Sequence, residues 1–116
     1  MKRFFKILGL SLICFNSKAF AENAPISVEV TSSYSTVSNR YYPVISVISE
    51  VDNIKVFGVT ANRGNCEATL KGSFPGDSQQ KAIAFGDVVQ YNAFHCAKIR
   101  EVIIHTDRGD WTYTLR

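Results

Sequence analysis

Alternation with period two dominates this chain from residue 26 onward. Ile26, Val28 and Val30 alternate with Ser27, Glu29 and Thr31, the pattern of a strand with one buried and one wet face. The Ser/Thr-rich stretch 31–39 breaks that pattern and reads as an irregular connection or a frayed strand end. Asp52-Asn53 then sits between two apolar runs, 42–51 and 54–61, and tolerates the left-handed backbone of a two-residue turn. A hairpin with that turn would set Glu50 opposite Lys55, Ile48 opposite Phe57 and Val51 opposite Ile54. Both of its faces are apolar. Ile45, Val47, Val51, Ile54 and Val56 mark one, and Val44, Ile48, Phe57 and Val59 the other. A two-layer sandwich buries one face of each sheet. The second set, Val44, Ile48, Phe57 and Val59, is therefore expected to form a two-fold homodimer contact or a strand exchange. The competing expectation is that residues 31–39 fold over it.

Farther along, Asn62-Arg63-Gly64-Asn65 reads as a turn, and Cys66, Ala68 and Leu70 alternate with Glu67, Thr69 and Lys71 as a strand. Phe74-Pro75-Gly76-Asp77 fits a type II turn, with proline presetting φ and glycine supplying positive φ. Phe85-Gly86-Asp87 precedes a strand over 88–96. The last hairpin, turned at Arg108-Gly109, is expected to pair Thr106 with Trp111, Ile104 with Tyr113 and Val102 with Leu115 on the buried face. Its other face would pair Glu101 with Arg116 and His105 with Thr112. About seven strands and no helical period predict an all-β, immunoglobulin- or fibronectin III-like sandwich.

The N-terminus follows a different rule. Lys2, Arg3 and Lys6 precede an apolar run over 7–15, and Ala19-Phe20-Ala21 supplies a small-x-small cleavage pattern. The run is too short to span a bilayer, and Ile13 before Cys14 is too bulky for a lipoprotein site. Residues 1–21 are expected to be a cleaved signal peptide and 22–116 the mature domain, secreted with the periplasm as intermediate or alternative. No membrane insertion is expected after cleavage.

That division changes the charge. The formal net charge of the 116 residues is +3, but four of the 13 basic residues (Lys2, Arg3, Lys6, Lys18) lie in the signal, which has no acidic residue. Nine basic against ten acidic residues remain, a net of −1, and the basic ones are scattered singly. No stripe is left to displace counterions from phosphates, so nucleic acid is excluded as a partner. Without Cys14, Cys66 and Cys96 allow a single intramolecular pairing, and closing that loop should stabilise the fold by roughly 3–4 kcal/mol.

Candidate chemistry is sparse. Arg108-Gly109-Asp110 is an integrin-type tripeptide at an expected exposed hairpin tip, where glycine also serves the turn and loop tips are polar anyway. His95 and His105 are the only histidines, too few for a zinc site whose sulfurs are already bridged. There is no GxSxG, HExxH or glycine-rich phosphate loop. A dispersed Ser-His-Asp arrangement stays open in principle, but so small a sandwich leaves little room for a deep pocket. Neither enzyme activity, nor a metal, nor a cofactor is expected.

The signal with Glu22-Asn23-Ala24-Pro25-Ile26-Ser27-Val28-Glu29-Val30, together with Ala61-Asn62-Arg63-Gly64-Asn65-Cys66, Phe85-Gly86-Asp87, Cys96 and Glu101-Val102-Ile103-Ile104-His105-Thr106, resembles the interleukin receptor mimic proteins. These are small secreted antigens of pathogenic enterobacteria, and the resemblance spans the chain. It implies a fibronectin III-like fold, a homodimer, release from the cell, and likeness to cytokine-receptor ectodomains with binding of host interleukins. It supplies no ligand-contact residues. The chain lacks the tandem domains of those receptors and their Trp-Ser-x-Trp-Ser motif, having Trp111-Thr112-Tyr113-Thr114 instead, so the mimicry would be of shape. Two other readings stay open: a pilin-like structural subunit of the cell surface, and a periplasmic accessory protein.

Overall fold

The structure is a computed structural model that describes residues 18–19 and 24–115. The expected signal, 1–21, falls outside these apart from Lys18 and Ala19. Nine strands follow one another: β1 (Lys18–Ala19), β2 (Ile26–Ser35), β3 (Arg40–Ser49), β4 (Asn53–Ala61), β5 (Thr69–Leu70), β6 (Lys81–Ala84), β7 (Val88–Asn92), β8 (Glu101–Thr106) and β9 (Gly109–Thr114). They form two antiparallel sheets, β2-β3-β7-β5 and β6-β4-β8-β9, with β1 added at the outer edge of β2. Lettered A to G in chain order with β6 set aside, the sheets read ABED and CFG. That is the order of an immunoglobulin-like sandwich, with β6 as an extra edge strand beside β4. No helix among the described residues is long and apolar enough to cross a membrane.

Period two explains the core. Ile26, Val28, Ile45, Val47, Val89 and Tyr91 point inward from one sheet, and Ile54, Val56, Val102, Ile104 and Tyr113 from the other. Directly opposed partners share a face, so the pairs Val28–Val47 and Ile45–Tyr91 build it in layers.

The expected hairpin over 42–61 does not form. β3 and β4 lie in different sheets. Instead of closing on residue 53, the backbone at the corner bonds elsewhere: Ser49 N–H to Asp87 O at 3.0 Å, and Glu50 N–H to Pro25 O at 2.8 Å. Asp52-Asn53 thus lies at a crossing between layers. Both strands carry inward apolar alternation, and two facing sheets satisfy that pattern as well as one hairpin does. Glu50 accepts from Ser27 Oγ at 2.9 Å instead of meeting Lys55, whose register partner is Ala82.

The set proposed as a dimer face is dispersed as a result. Val44 is buried on the outer face of the first sheet and Ile48 half-buried there. Phe57 is exposed on the second sheet, while Val59 pairs with buried Ile104 and packs against the core. A bulge between Val56 and Gly58 shifts the parity, turning Val56, Val59 and Ala61 all inward. The four residues share no single surface: Val44 and Ile48 lie on the outer face of one sheet, while Phe57 and Val59 lie on the other sheet, one exposed and one against the core. The hairpin with two apolar faces that would have required a dimer is therefore absent, and a dimer remains only what the resemblance implies.

Other differences are local. Residues 31–35 continue β2 and pair in register with Arg40–Val44 across the turn at 36–39. Their serines and threonines lie beyond the core, so they carry no apolar alternation. The strand expected over 66–71 is reduced to Thr69–Leu70, and the strand over 88–96 stops at Asn92. β6 completes a count of eight beside the short β1. In the last hairpin the register is displaced by two residues: Ile104 faces Trp111, Val102 faces Tyr113, and His105 faces Asp110. A shift of two preserves faces, so Val102, Ile104 and Tyr113 are buried, and Trp111 and Leu115 pack half-buried against them. Glu101 faces Thr114 and accepts from Arg63 Nε at 3.3 Å. Arg116 lies outside the described residues.

The two buried tyrosines give the fold an alkaline limit. Burial pushes the phenols of Tyr91 and Tyr113 up to about 12 from the ordinary 10, with the Glu50 carboxylate adding to the rise at Tyr113. The unfolded chain ionises both near 10, so their contribution is intact below pH 10 and is lost as pH climbs towards about 12. The urea midpoint should be flat with respect to these groups up to pH 10 and then fall. Tyr91→Phe should remove part of that slope, and an unchanged slope would count against its buried phenol.

Candidate functional site

One end of the sandwich holds four of the six exposed aromatic rings among the described residues, Tyr34, Tyr41, Phe74 and Phe94, while Phe57 and Phe85 lie elsewhere. That end is organised by the Cys66–Cys96 disulfide, whose Cα atoms are 5.4 Å apart. The bridge joins the start of the 67–79 loop to the turn after β7, which carries Phe94. Between them lies a cleft of about 500 Å³ lined by Glu67, Ala68, Phe74, Pro75, Gln79 and Phe94, among others.

The loop wall is rigid for local reasons. The expected type II turn is present: Asp77 N–H donates to Phe74 O at 2.9 Å and Gly76 has φ 90°, where a side chain would be strained. Asp77 Oδ2 in return accepts from Phe74 N–H at 2.7 Å. Ser73 Oγ donates to Leu70 O at 2.7 Å, and the Gln79 carboxamide accepts from Leu70 N–H and donates to Asp77 O. Buried Tyr91 anchors the far end by donating to Gln79 O at 2.6 Å. On the other wall, Ala93 N–H donates to Pro43 O and Cys96 N–H to Ala93 O.

These clamps hold two large rings in water. Phe74 is 75% exposed and Phe94 45%. Phe94 also touches Tyr42, with ring centroids 4.5 Å apart. On the opposite face of β3, Tyr41 meets Tyr34 edge-on at 5.0 Å, beyond the core, and both are largely exposed. Val37 at the hairpin tip is 95% exposed. Exposed aromatics grouped on a fixed backbone are the composition of contact surfaces between proteins.

A second constellation lies on the outer face of the other sheet. Thr60 Oγ1 is 2.7 Å from His105 Nε2, and His105 Nδ1 is 3.0 Å from Asp110 Oδ1. The order hydroxyl, imidazole, carboxylate is that of a nucleophile relay. Here it lies on an open sheet face, with the Asp110 side chain 63% exposed. Its hydrogen bonds satisfy a half-buried hydroxyl and imidazole and pin β4, β8 and β9 together. His95 is exposed on the turn that carries Phe94. Among the described residues no group of three His, Cys, Asp or Glu side chains converges as a metal site would require.

The turn of the last hairpin falls at Asp107-Arg108 and not at the expected Arg108-Gly109: Thr106 faces Gly109, so Gly109 (φ 98°) and Asp110 open β9 and the exposed Arg108-Gly109-Asp110 tripeptide straddles the end of the turn. Its charged side chains are both engaged within the domain. Arg108 Nη2 donates to Asn53 O at 2.9 Å, and Asp110 pairs with His105.

The structure brings together Cys66 and Cys96, as expected, and disperses Val44, Ile48, Phe57 and Val59. Phe74, Phe94, Tyr41 and Tyr42 escape sequence reasoning, because apolar residues in a β protein are read as core. Phe74 does carry a signal, since an aromatic opening a Pro-Gly turn belongs to a loop. No protein-family model, no curated protein and no solved structure matches the chain.

Proposed function

We propose that this chain is an exported β-sandwich binding module whose ligand is a protein, engaged through the aromatic end around the Phe74–Phe94 cleft. The exposure of Phe74 and Phe94 on doubly clamped backbone carries the reading, because rings held in water contribute no burial energy until a partner covers them. A preformed surface also loses little conformational entropy on binding. The resemblance to interleukin receptor mimic proteins narrows the partner to a host interleukin and the setting to a secreted bacterial factor that modulates immunity in virulence. It also supplies the homodimer.

The test has two parts. Fractionation of the producing cell should find residues 22–116 free in the medium; surface polymers would favour the pilin-like reading, and periplasmic retention the accessory one. The purified protein should then capture an interleukin from a panel, and Phe74→Ala should weaken capture about tenfold or more, as loss of an aromatic hot spot does. Phe74 makes no core contact, so the variant should keep its melting temperature. Failure to capture any interleukin would remove that ligand, and binding insensitive to Phe74 would remove this surface.

A further inference from the structure

The Phe74–Phe94 cleft combines exposed aromatic rings with uncompensated negative charge. Glu67 and Asp77 both line it, and no lysine or arginine does. Asp77 spends Oδ2 on the Phe74 amide. Glu67 is exposed and enters no ion pair among the described residues. The nearest lysine along the loop, Lys71, is turned away, with Nζ 3.3 Å from Gln90 Oε1.

We infer that this cleft receives an arginine side chain of the partner protein, its guanidinium lying against the Phe74 and Phe94 rings and donating to Glu67. The inference rests on the binding reading above and names the chemistry of its contact. An aliphatic side chain could cover the rings, but it would strip water from the Glu67 carboxylate without pairing it. A carboxylate would be repelled. Lysine would answer the charge but not the flat ring faces. A guanidinium is planar, always charged, weakly hydrated and rich in donors, so it meets both demands. Both walls are already fixed, one by the Phe74–Asp77 clamp and the other by the bridged Cys96 turn, so the site exists before the partner arrives.

The probes are N-acetyl-arginine amide, its neutral isostere N-acetyl-citrulline amide, and N-acetyl-leucine amide. Each is titrated into the ¹⁵N-labelled, disulfide-bonded mature protein and followed by amide shifts. The arginine probe should move resonances of residues 67–79 and 93–96, with citrulline and leucine several-fold weaker. Glu67→Gln should weaken the arginine probe about three- to tenfold, with the rest of the spectrum unmoved. Equal binding of the leucine probe, no shifts at the cleft, or no effect of Glu67→Gln would each overturn the inference. Failure here separates from failure of the binding reading. Interleukin capture that needs Phe74 but ignores Glu67→Gln would keep the module and discard the arginine. An arginine response without any interleukin captured would keep the cleft chemistry and discard that ligand.

Discussion

Tyr113→Ala should lower stability by about 3–5 kcal/mol, the range for deleting a fully buried aromatic ring. Only 2% of Tyr113 is exposed, and its hydroxyl donates to Ile26 O at 2.8 Å. That bond links β9 of one sheet to β2 of the other across 87 residues of chain. The substitution both opens a cavity and removes the partner of the Ile26 carbonyl. Tyr113→Phe separates the two terms and should cost about 1 kcal/mol, the net worth of one hydrogen bond. Trp111→Ala should cost about 1–2 kcal/mol, below the core range, because Trp111 is half-buried and its indole N–H reaches only the nearby Arg108 carbonyl at 3.3 Å. Urea unfolding of the three variants gives the ranking. A Trp111→Ala cost equal to that of Tyr113→Ala would mean that the last hairpin packs differently.

Replacing both bridged cysteines by alanine should cost about 3–4 kcal/mol in the chain-entropy model for a closed loop of this size. For a domain of about this length that is a fall in melting temperature of roughly 15–25 °C. The bridge spans 30 residues, but it is not the only closure of that loop. Asn62 Nδ2 donates to Lys98 O at 2.7 Å, and Asn62 Oδ1 accepts from Arg100 N–H at 2.7 Å and from Glu101 N–H at 3.3 Å. The sandwich should therefore remain folded at room temperature without the disulfide, while the 67–79 and 93–96 walls lose their shared anchor. Cys66→Ala/Cys96→Ala should accordingly show a lower melting temperature, a native-like far-UV spectrum and a weakened response at the cleft. A melting temperature within a few degrees of the wild type would assign the loop closure to Asn62 alone.

Local signals were legible wherever one residue type had one physical use. Gly76 sits at φ 90° in the Pro-Gly turn its neighbours predict, whereas Gly109, at φ 98°, opens β9 just after a turn that falls one residue earlier than expected. Val102, Ile104 and Tyr113 face inward although their register is displaced by two, because alternation specifies the face and not the partner. The site was less legible. A phenylalanine in the core and one held in water are the same letter, and only the clamps around Phe74 and the turn at Ala93–Cys96 keep two of them outside. The Thr60–His105–Asp110 chain was hidden by the same two-residue displacement, which had set His105 against Thr112.

From sequence alone came the all-β class, the approximate strand count, the single disulfide, and the inner and outer faces of β2, β8 and β9. All of these follow from period-two alternation, turn chemistry and cysteine count, which are local or combinatorial properties. Only the tertiary structure decided that β3 and β4 belong to different sheets and that Val44 and Ile48 lie apart from Phe57 and Val59. It also decided that Phe74, Phe94, Tyr41 and Tyr42 lie at the disulfide-bridged end, while Phe57 and Phe85 are exposed elsewhere. Consecutive apolar strands can pair side by side or face each other across a core with nearly the same pattern. The choice was made by long-range partners, the carbonyls of Pro25 and Asp87 at the corner and the bulge at Phe57, that no local window contains.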